Sequence, residues 1–226
     1  MARVLIVFAH PALEKSRVHR RLVAATPRDE RVTFHDLYQE YPAFDILVER
    51  EQELLLEHDV IVLQHPLYWY SGPPLLKEWF DLVLEHGWAY GSEGDALEGK
   101  VMLQAISAGG QASAYCEEGY NRYTIRQYLR PFEGTARLCG MRYLPPWVVF
   151  GTHRLDGPDI DAWADAWART VTWLADEGWG DIEPDPDSLL VEGAGECAPW
   201  PIAGIDERLE PNAVPTESGS GDGGGG

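Results

Sequence analysis

An α/β domain built on a parallel sheet of five strands, with helices on both faces, is what this sequence predicts. Short apolar runs rich in β-branched residues alternate with segments of helical periodicity from the first residues onward. Strict β-α alternation calls for parallel pairing, because parallel neighbours need crossover connections and helices supply them. The 226-residue length suits one such core with a remainder, and that remainder is visible as a change of composition after Trp179.

The strands are read at residues 4–8, 32–35, 60–64, 101–106 and 147–150. Between them, apolar residues recur at helical spacing over 16–25, 46–57, 73–86 and 121–139. A last helix over 158–177 carries Ile160, Trp163, Ala164, Trp167, Val171 and Leu174 along one stripe, with Pro158 where a first-turn proline is tolerated. Right-handed crossovers leave few topologies for five strands, and the natural one is the flavodoxin-like three-layer sandwich of order 2-1-3-4-5. Ligands of such sheets bind beyond the carboxyl ends of the strands, so the chemistry is expected in the loops after strands one, three and four.

Residues 1–179 form the expected domain. Residues 180–226 hold eleven acidic side chains and one basic one among many Pro and Gly, a composition expected to be disordered and too poor in apolar residues to join a core. A short apolar patch at 200–205 reads as part of this solvated tail. The formal net charge of −19 argues against nucleic acid and against an anionic membrane surface. Cys116, Cys139 and Cys197 are odd in number and show no C-x-x-C spacing, so neither a disulfide framework nor a zinc site is indicated. With no signal-peptide pattern and no apolar run long enough to cross a bilayer, the expected location is the cytoplasm, without direct membrane insertion.

The first loop places His10, Ser16, Arg17, Val18 and His19 between a strand and the start of a helix. Free N–H groups at a helix N-terminus bind phosphate, although Ser16 also suits a simple N-cap. The third loop, Leu67-Tyr68-Trp69-Tyr70 followed by Ser71-Gly72-Pro73-Pro74, puts three aromatics at a strand end. Such rings can flank a flat isoalloxazine, and backbone N–H groups of a rigid turn can donate to its O4 and N5. The fourth loop, Ser107-Ala108-Gly109-Gly110, offers small residues where backbone must approach a ligand closely. By contrast, residues 94–100 have the spacing of a phosphate-binding loop, but Val101 stands where that motif needs Ser or Thr and a strand follows where it needs a helix.

These loops, together with His86-Gly87-Trp88-Ala89-Tyr90-Gly91 and Cys139-Gly140-Met141, resemble the NAD(P)H:quinone oxidoreductase branch of the flavodoxin-like flavoproteins. The likeness is strongest to the ancillary subunits of glutathione-regulated potassium-efflux systems and covers roughly residues 3–178. It implies FMN at the strand ends, with FAD as the alternative, and NAD(P)H as co-substrate. It also implies hydride transfer to a quinone-like acceptor and a homodimer with its active sites at the subunit interface. The residues carried over are His10, Ser16, Arg17, Val18 and His19 for the phosphate, Leu67 to Tyr70 for the isoalloxazine, and Ser107 to Gly110 for the pyrimidine. His19 departs from a more usual Asn, and Tyr115 and Tyr120 lack a partnering His. The segment Trp88-Ala89-Tyr90 and the loop from Tyr115 to Tyr120 are the expected interface. A cation-efflux transporter is the implied second partner, which would place the chain at the membrane periphery.

Overall fold

The computed structural model describes residues 1–180 together with 189 and 190. Its elements run β1 (Val4–Phe8), α1 (Arg17–Ala25), β2 (Val32–Asp36), α2 (Leu37–Glu40), α3 (Val48–Glu57), β3 (Val60–Pro66) and α4 (Pro74–Val83), then β4 (Val101–Ser107), α5 (Ile125–Tyr128), α6 (Arg130–Leu138), β5 (Arg142–Tyr143), β6 (Trp147–Val149) and α7 (Gly157–Ala175). All pairing is parallel, in the order β2-β1-β3-β4-β5, as the alternation predicts.

The fifth position departs from a single strand. β5 pairs with Val101–Met102 and β6 with Ala105–Ser107, so two short pieces share the edge of β4. Between them stand Pro145 and Pro146, which have no N–H to give to a ladder. The helix expected over 121–139 is likewise broken into α5 and α6. Pro131 falls in the first turn of α6, where its missing N–H costs no intrahelical bond.

Alternation along the strands sends one set of side chains to each face. Leu5, Val7, Ile61, Leu63, Met102 and Ile106 pack with α3, α4 and α6; Val4, Ile6, Val60, Val62, Leu103 and Ala105 pack with α1 and α7. The α7 stripe behaves as its spacing requires: Ile160, Ala164, Trp167, Val171 and Leu174 are buried, and Trp167 Nε1 donates to Thr26 Oγ1 at 3.1 Å. On the other face a carboxylate is buried. Glu51 accepts from His35 Nε2 at 2.9 Å, Tyr41 OH at 2.5 Å and Trp79 Nε1 at 2.8 Å. Burial would raise its pKa, but these donors, His35 first among them, hold it below the usual value.

A second buried polar chain underlies the upper edge of the sheet. Tyr143 OH donates to Gln104 Oε1 at 2.5 Å, and Gln104 Nε2 lies 3.1 Å from His65 Nε2. His65 Nδ1 then lies 3.0 Å from the Pro66 carbonyl. That carbonyl can only accept, so Nδ1 carries the proton and Nε2 receives the amide N–H of Gln104. The chain is satisfied only while the imidazole is neutral, and burial lowers the His65 pKa to about 4.

Residues 181–188 and 191–226, with the patch at 200–205, lie outside the described residues. Within the tail, Leu189 and Leu190 are described, and both are buried. They straddle the sheet edge: Leu189 joins the α3–α4–α6 face, Leu190 joins the α1–α7 face, and Leu190 N–H donates to the Pro146 carbonyl at 3.0 Å. The poor apolar density expected of this tail therefore has an exception at one dileucine.

Ending the chain at residue 180 should lower stability by about 3 kcal/mol, the scale of burying one or two leucines. A thermal melt of the truncated chain beside full-length Leu189→Ser/Leu190→Ser should show matching losses, and an unchanged midpoint in both would remove the dileucine from the core. The neutral His65 makes a second expectation. Its folded pKa is depressed, so its contribution is complete above pH 6.5 and is lost as pH falls toward 4, the window in which the unfolded chain takes up a proton that the folded one refuses. Urea unfolding between pH 7 and 4.5 should lose on the order of 1 kcal/mol per pH unit from this group, and the slope should be shallower in His65→Gln.

Candidate functional site

The carboxyl ends of β1, β3 and β4 meet at one residue. Ser107, the last of β4, gives its carbonyl to Leu67 N–H at 2.8 Å, while its Oγ lies 2.9 Å from His19 Nε2 on α1. The loops after strands one, three and four are thereby fastened together. His10 adds to the contact, with its ring centroid 5.2 Å from His19 and 6.0 Å from Tyr68. Its Nδ1 accepts from Ala12 N–H at 3.1 Å, which curls the loop before α1.

The start of α1 has the geometry its sequence suggests. Ser16 is the N-cap, its Oγ accepting from His19 N–H at 3.1 Å. The N–H groups of Arg17 and Val18, one and two residues into the helix, have no carbonyl within it to bond. Val18's side chain is buried in the core and Arg17's guanidinium donates to the Leu155 carbonyl at 2.9 Å, so these two residues offer the site their backbone. His19 is buried, and its Nδ1 has no partner among the described residues. Burial, with the nearby imidazoles of His10 and His65, holds its pKa well below the ordinary value. A buried neutral imidazole with one bonded nitrogen and one unbonded is an open hydrogen-bonding position.

After β3 the backbone is strained. Tyr68 and Ser71 exchange N–H···O bonds of 2.9 and 3.0 Å, closing a two-residue turn over Trp69 and Tyr70. Both residues have positive φ, 49° and 62°. A type I′ turn demands that combination, and it normally selects Asn and Gly. Two bulky aromatics held there cost about 1–2 kcal/mol each. The turn leaves Trp69 92% exposed and gives the N–H groups of Trp69 and Tyr70 no acceptor among the described residues. Tyr70 is steadied from the side: its ring stacks on Tyr128 at 4.6 Å and its hydroxyl donates to Asn121 Oδ1 at 3.2 Å. Leu67, by contrast, packs into the core below.

The fourth loop is walled by side chains. A Cβ on Gly109 would meet His153 Nε2 at 2.9 Å, and one on Gly110 would meet the Tyr115 ring at 3.1 Å. Ala108 is buried. The carbonyls of Ala108 and Gly110 accept from Thr152 and Gly151 N–H, which brings in the loop after β6 with His153 and Arg154. Gly109, Gly110, Gln111, Tyr120 and Arg154 border an open pocket of about 400 Å³.

All thirteen residues singled out from the sequence thus lie on or beside one edge of the sheet. The sequence reading passed over Asn121, Tyr128, His153 and Arg154. The topological rule that selected the other loops also applies to the fifth strand, and would have pointed to the last two. The two segments expected at an interface, Trp88 to Tyr90 and Tyr115 to Tyr120, differ in exposure. Ala89 is fully buried and Trp88 and Tyr90 pack against the domain's own core, whereas Trp69, Tyr120 and Tyr123 face outward.

A family model described as flavodoxin-like fold matches residues 2–171. The glutathione-regulated potassium-efflux system ancillary protein KefG of Serratia proteamaculans is 47% identical over 172 residues, 76% of this chain and 92% of that protein. General stress protein 14 of Treponema denticola, solved in complex with FMN, is 38% identical with a TM-score of 0.70, over 77% of this chain and 98% of that one. An NADPH-quinone reductase from P. pentosaceus is 36% identical with a TM-score of 0.68, over 75% and 97%. With its strand order, its site at the carboxyl edge and a match across three-quarters of its length, the chain belongs to the flavodoxin-like fold family.

Proposed function

We propose that this chain is an FMN-dependent NAD(P)H oxidoreductase that delivers a hydride to a quinone or similar electrophilic acceptor. The observation that carries the reading is the strained Trp69–Tyr70 turn, which holds an exposed aromatic pair and two N–H groups without an acceptor among the described residues, directly after Tyr68, whose ring lies 6.0 Å from that of His10. The stack of Tyr70 on Tyr128 and its bond to Asn121 steady the turn, but nothing among the described residues takes up the two N–H groups it presents. Strain of this kind persists where a ligand uses it. The FMN-bound relative and the NADPH-quinone reductase relative support the same reading.

The residues present fit a phosphorylated planar ring. Ser16 and the N–H groups of Arg17 and Val18 would hold the phosphate at the positive end of α1. The unbonded Nδ1 of His19 is an additional hydrogen-bonding position at that end. The N–H groups of Trp69 and Tyr70 would donate to the polar edge of the ring and so favour its electron-rich reduced state. Gly109 and Gly110 let backbone approach its pyrimidine side. Bound there, FMN would supply two-electron hydride acceptance and donation between NAD(P)H and the acceptor. FMN is preferred to FAD on the relative's ligand.

The outward aromatics need cover, because hydride transfer requires the donor ring within about 3–3.5 Å of the flavin and water kept out. A second copy of the chain supplies it: Trp69 and Tyr123 form an apolar rim that a two-fold pair would bury against itself. The KefG relative supports a further reading in which the flavin-loaded chain is an ancillary subunit of a cation-efflux transporter. No helix among the described residues is long and apolar enough to cross a membrane, so that role would place a cytoplasmic chain at the membrane through its partner.

Replacing Tyr68 by Ala should weaken FMN binding by about tenfold, on the order of 1.4 kcal/mol, in a fluorescence titration of the apoprotein. An unchanged Kd together with unchanged kcat would take this loop out of the site. Sedimentation of the FMN-loaded protein at micromolar concentration should give the mass of two chains, and Tyr123→Asp should shift it toward one. A monomer with full NAD(P)H oxidation would overturn the dimer.

A further inference from the structure

The open pocket beside the fourth loop is distinct from the cradle just described. It shares Gly109 and Gly110 with that cradle but extends outward to Gln111, Tyr120 and Arg154. Three features set it apart. Its volume of about 400 Å³ lies within the range of small-molecule sites. One wall is Tyr120, whose ring is 91% exposed and so presents a face on which a flat heterocycle can stack. At its rim stands Arg154, held on a tight turn in which its own N–H donates to the Gly151 carbonyl at 2.8 Å. Gly151 takes φ +66° to make that turn.

Charge sharpens the point. The chain carries a net charge of −19, and many of its arginines sit against carboxylates: Arg3 on Glu57, Arg21 on Asp161, Arg31 on Asp29 and Asp176, Arg50 on Glu40. Among the described residues no carboxylate lies within 4 Å of the guanidinium of Arg154. Arg17, at the start of α1, reaches across to this loop, its guanidinium donating to the Leu155 carbonyl at 2.9 Å. Arg20, Arg28, Arg122, Arg130 and Arg169 likewise have no carboxylate within 4 Å among the described residues, but Arg154 is the arginine that borders the pocket, where its charge favours an anionic reactant. Free guanidinium, exposed aromatic face and a concavity of nucleotide scale therefore coincide at one place.

We infer that this pocket holds the phosphate-bearing adenosine half of the nicotinamide nucleotide, with Arg154 on a phosphate and Tyr120 against the adenine. The inference rests on the proposed oxidoreductase function and names the subsite that the donor uses. The nicotinamide must lie over the loops that cradle the flavin, and the pocket adjoins the fourth of them through Gly109 and Gly110. Guanidinium suits phosphate because its planar fork pairs two oxygens at once, and a glutamine in its place keeps bulk and hydrogen bonding but loses the charge. The phosphate has two sources in the dinucleotide. The pyrophosphate is common to NADH and NADPH, whereas the 2′-phosphate belongs to NADPH alone.

The test uses the full-length FMN-loaded protein with Arg154→Gln, Tyr120→Ser and, as a control with the same change of net charge, Arg28→Gln before β2. Steady-state KM is measured for NADPH and NADH, and binding of adenosine 2′,5′-bisphosphate is measured separately by calorimetry. Arg154→Gln should raise KM at least tenfold with kcat and FMN content unchanged, and should weaken the bisphosphate by a similar factor; Tyr120→Ser should weaken both less, and Arg28→Gln should change neither. A KM effect on NADPH alone assigns the 2′-phosphate to Arg154, and an equal effect on both nucleotides assigns the pyrophosphate; either supports the subsite. KM values within twofold of the unmodified protein, or no binding of the bisphosphate to the unmodified protein, would overturn it. A chain that binds the bisphosphate through Arg154 yet oxidises neither nucleotide would keep the subsite and reject the oxidoreductase reading, so the two failures are distinguishable.

Discussion

Because every strand runs parallel to its neighbour, the chain must cross over between strands, and each β-to-α connection is delivered to the same edge of the sheet. The register fixes what meets there. Pro66 lies opposite Ser107 and Ser107 opposite Val149, so three strands end level with one another. Ser107 uses that position twice, through its carbonyl to Leu67 and its hydroxyl to His19. A shift of one residue in β4 would turn the hydroxyl to the opposite face and break the link to α1. The arrangement of the site is in this sense a property of sheet pairing, and the individual loops inherit it.

Beneath the edge, buried polar groups do work that apolar packing cannot. The Tyr143–Gln104–His65–Pro66 chain has one direction of donation throughout, so it fixes the tautomer of His65 and ties the last turn of β3 to the outer strand. Glu51 does something similar under α2 and α3, gathering His35, Tyr41 and Trp79 around one carboxylate. Both networks rigidify the layer on which the third loop stands. Rigidity below is what allows two aromatic residues to be kept at positive φ above.

Much of this was legible in the sequence, and for identifiable reasons. Period-two and period-3.6 patterns gave the strands and helices, and the crossover rule then gave the strand order. The three aromatics of Tyr68-Trp69-Tyr70 were legible because apolar rings at a strand end have no place in an ordinary loop. What the sequence hid were features that depend on geometry between distant residues. Pro145-Pro146 splits the fifth strand without changing its apolar character. Trp88-Ala89-Tyr90 reads as an apolar segment that covers an interface, yet Ala89 is buried and Trp88 and Tyr90 pack, half-buried, against the core. Arg154 is one arginine among many until its lack of an ion partner and its place beside Gly109 can be seen. Leu189-Leu190 is two apolar residues in an acidic stretch, too short to register as an element.

That dileucine has a consequence for the company the sheet can keep. An outer strand is normally a row of vacant donors and acceptors, an invitation to another strand of its own or a foreign chain. Here Pro145 and Pro146 remove two donors from the row, and the Pro146 carbonyl is already taken by Leu190. The border of the sheet beyond β4 is thus sealed against strand addition. On this side, association of copies is left to side chains such as the aromatic rim at the strand ends, and among the described residues it is β2, at the far side of the sheet, that keeps a free backbone edge.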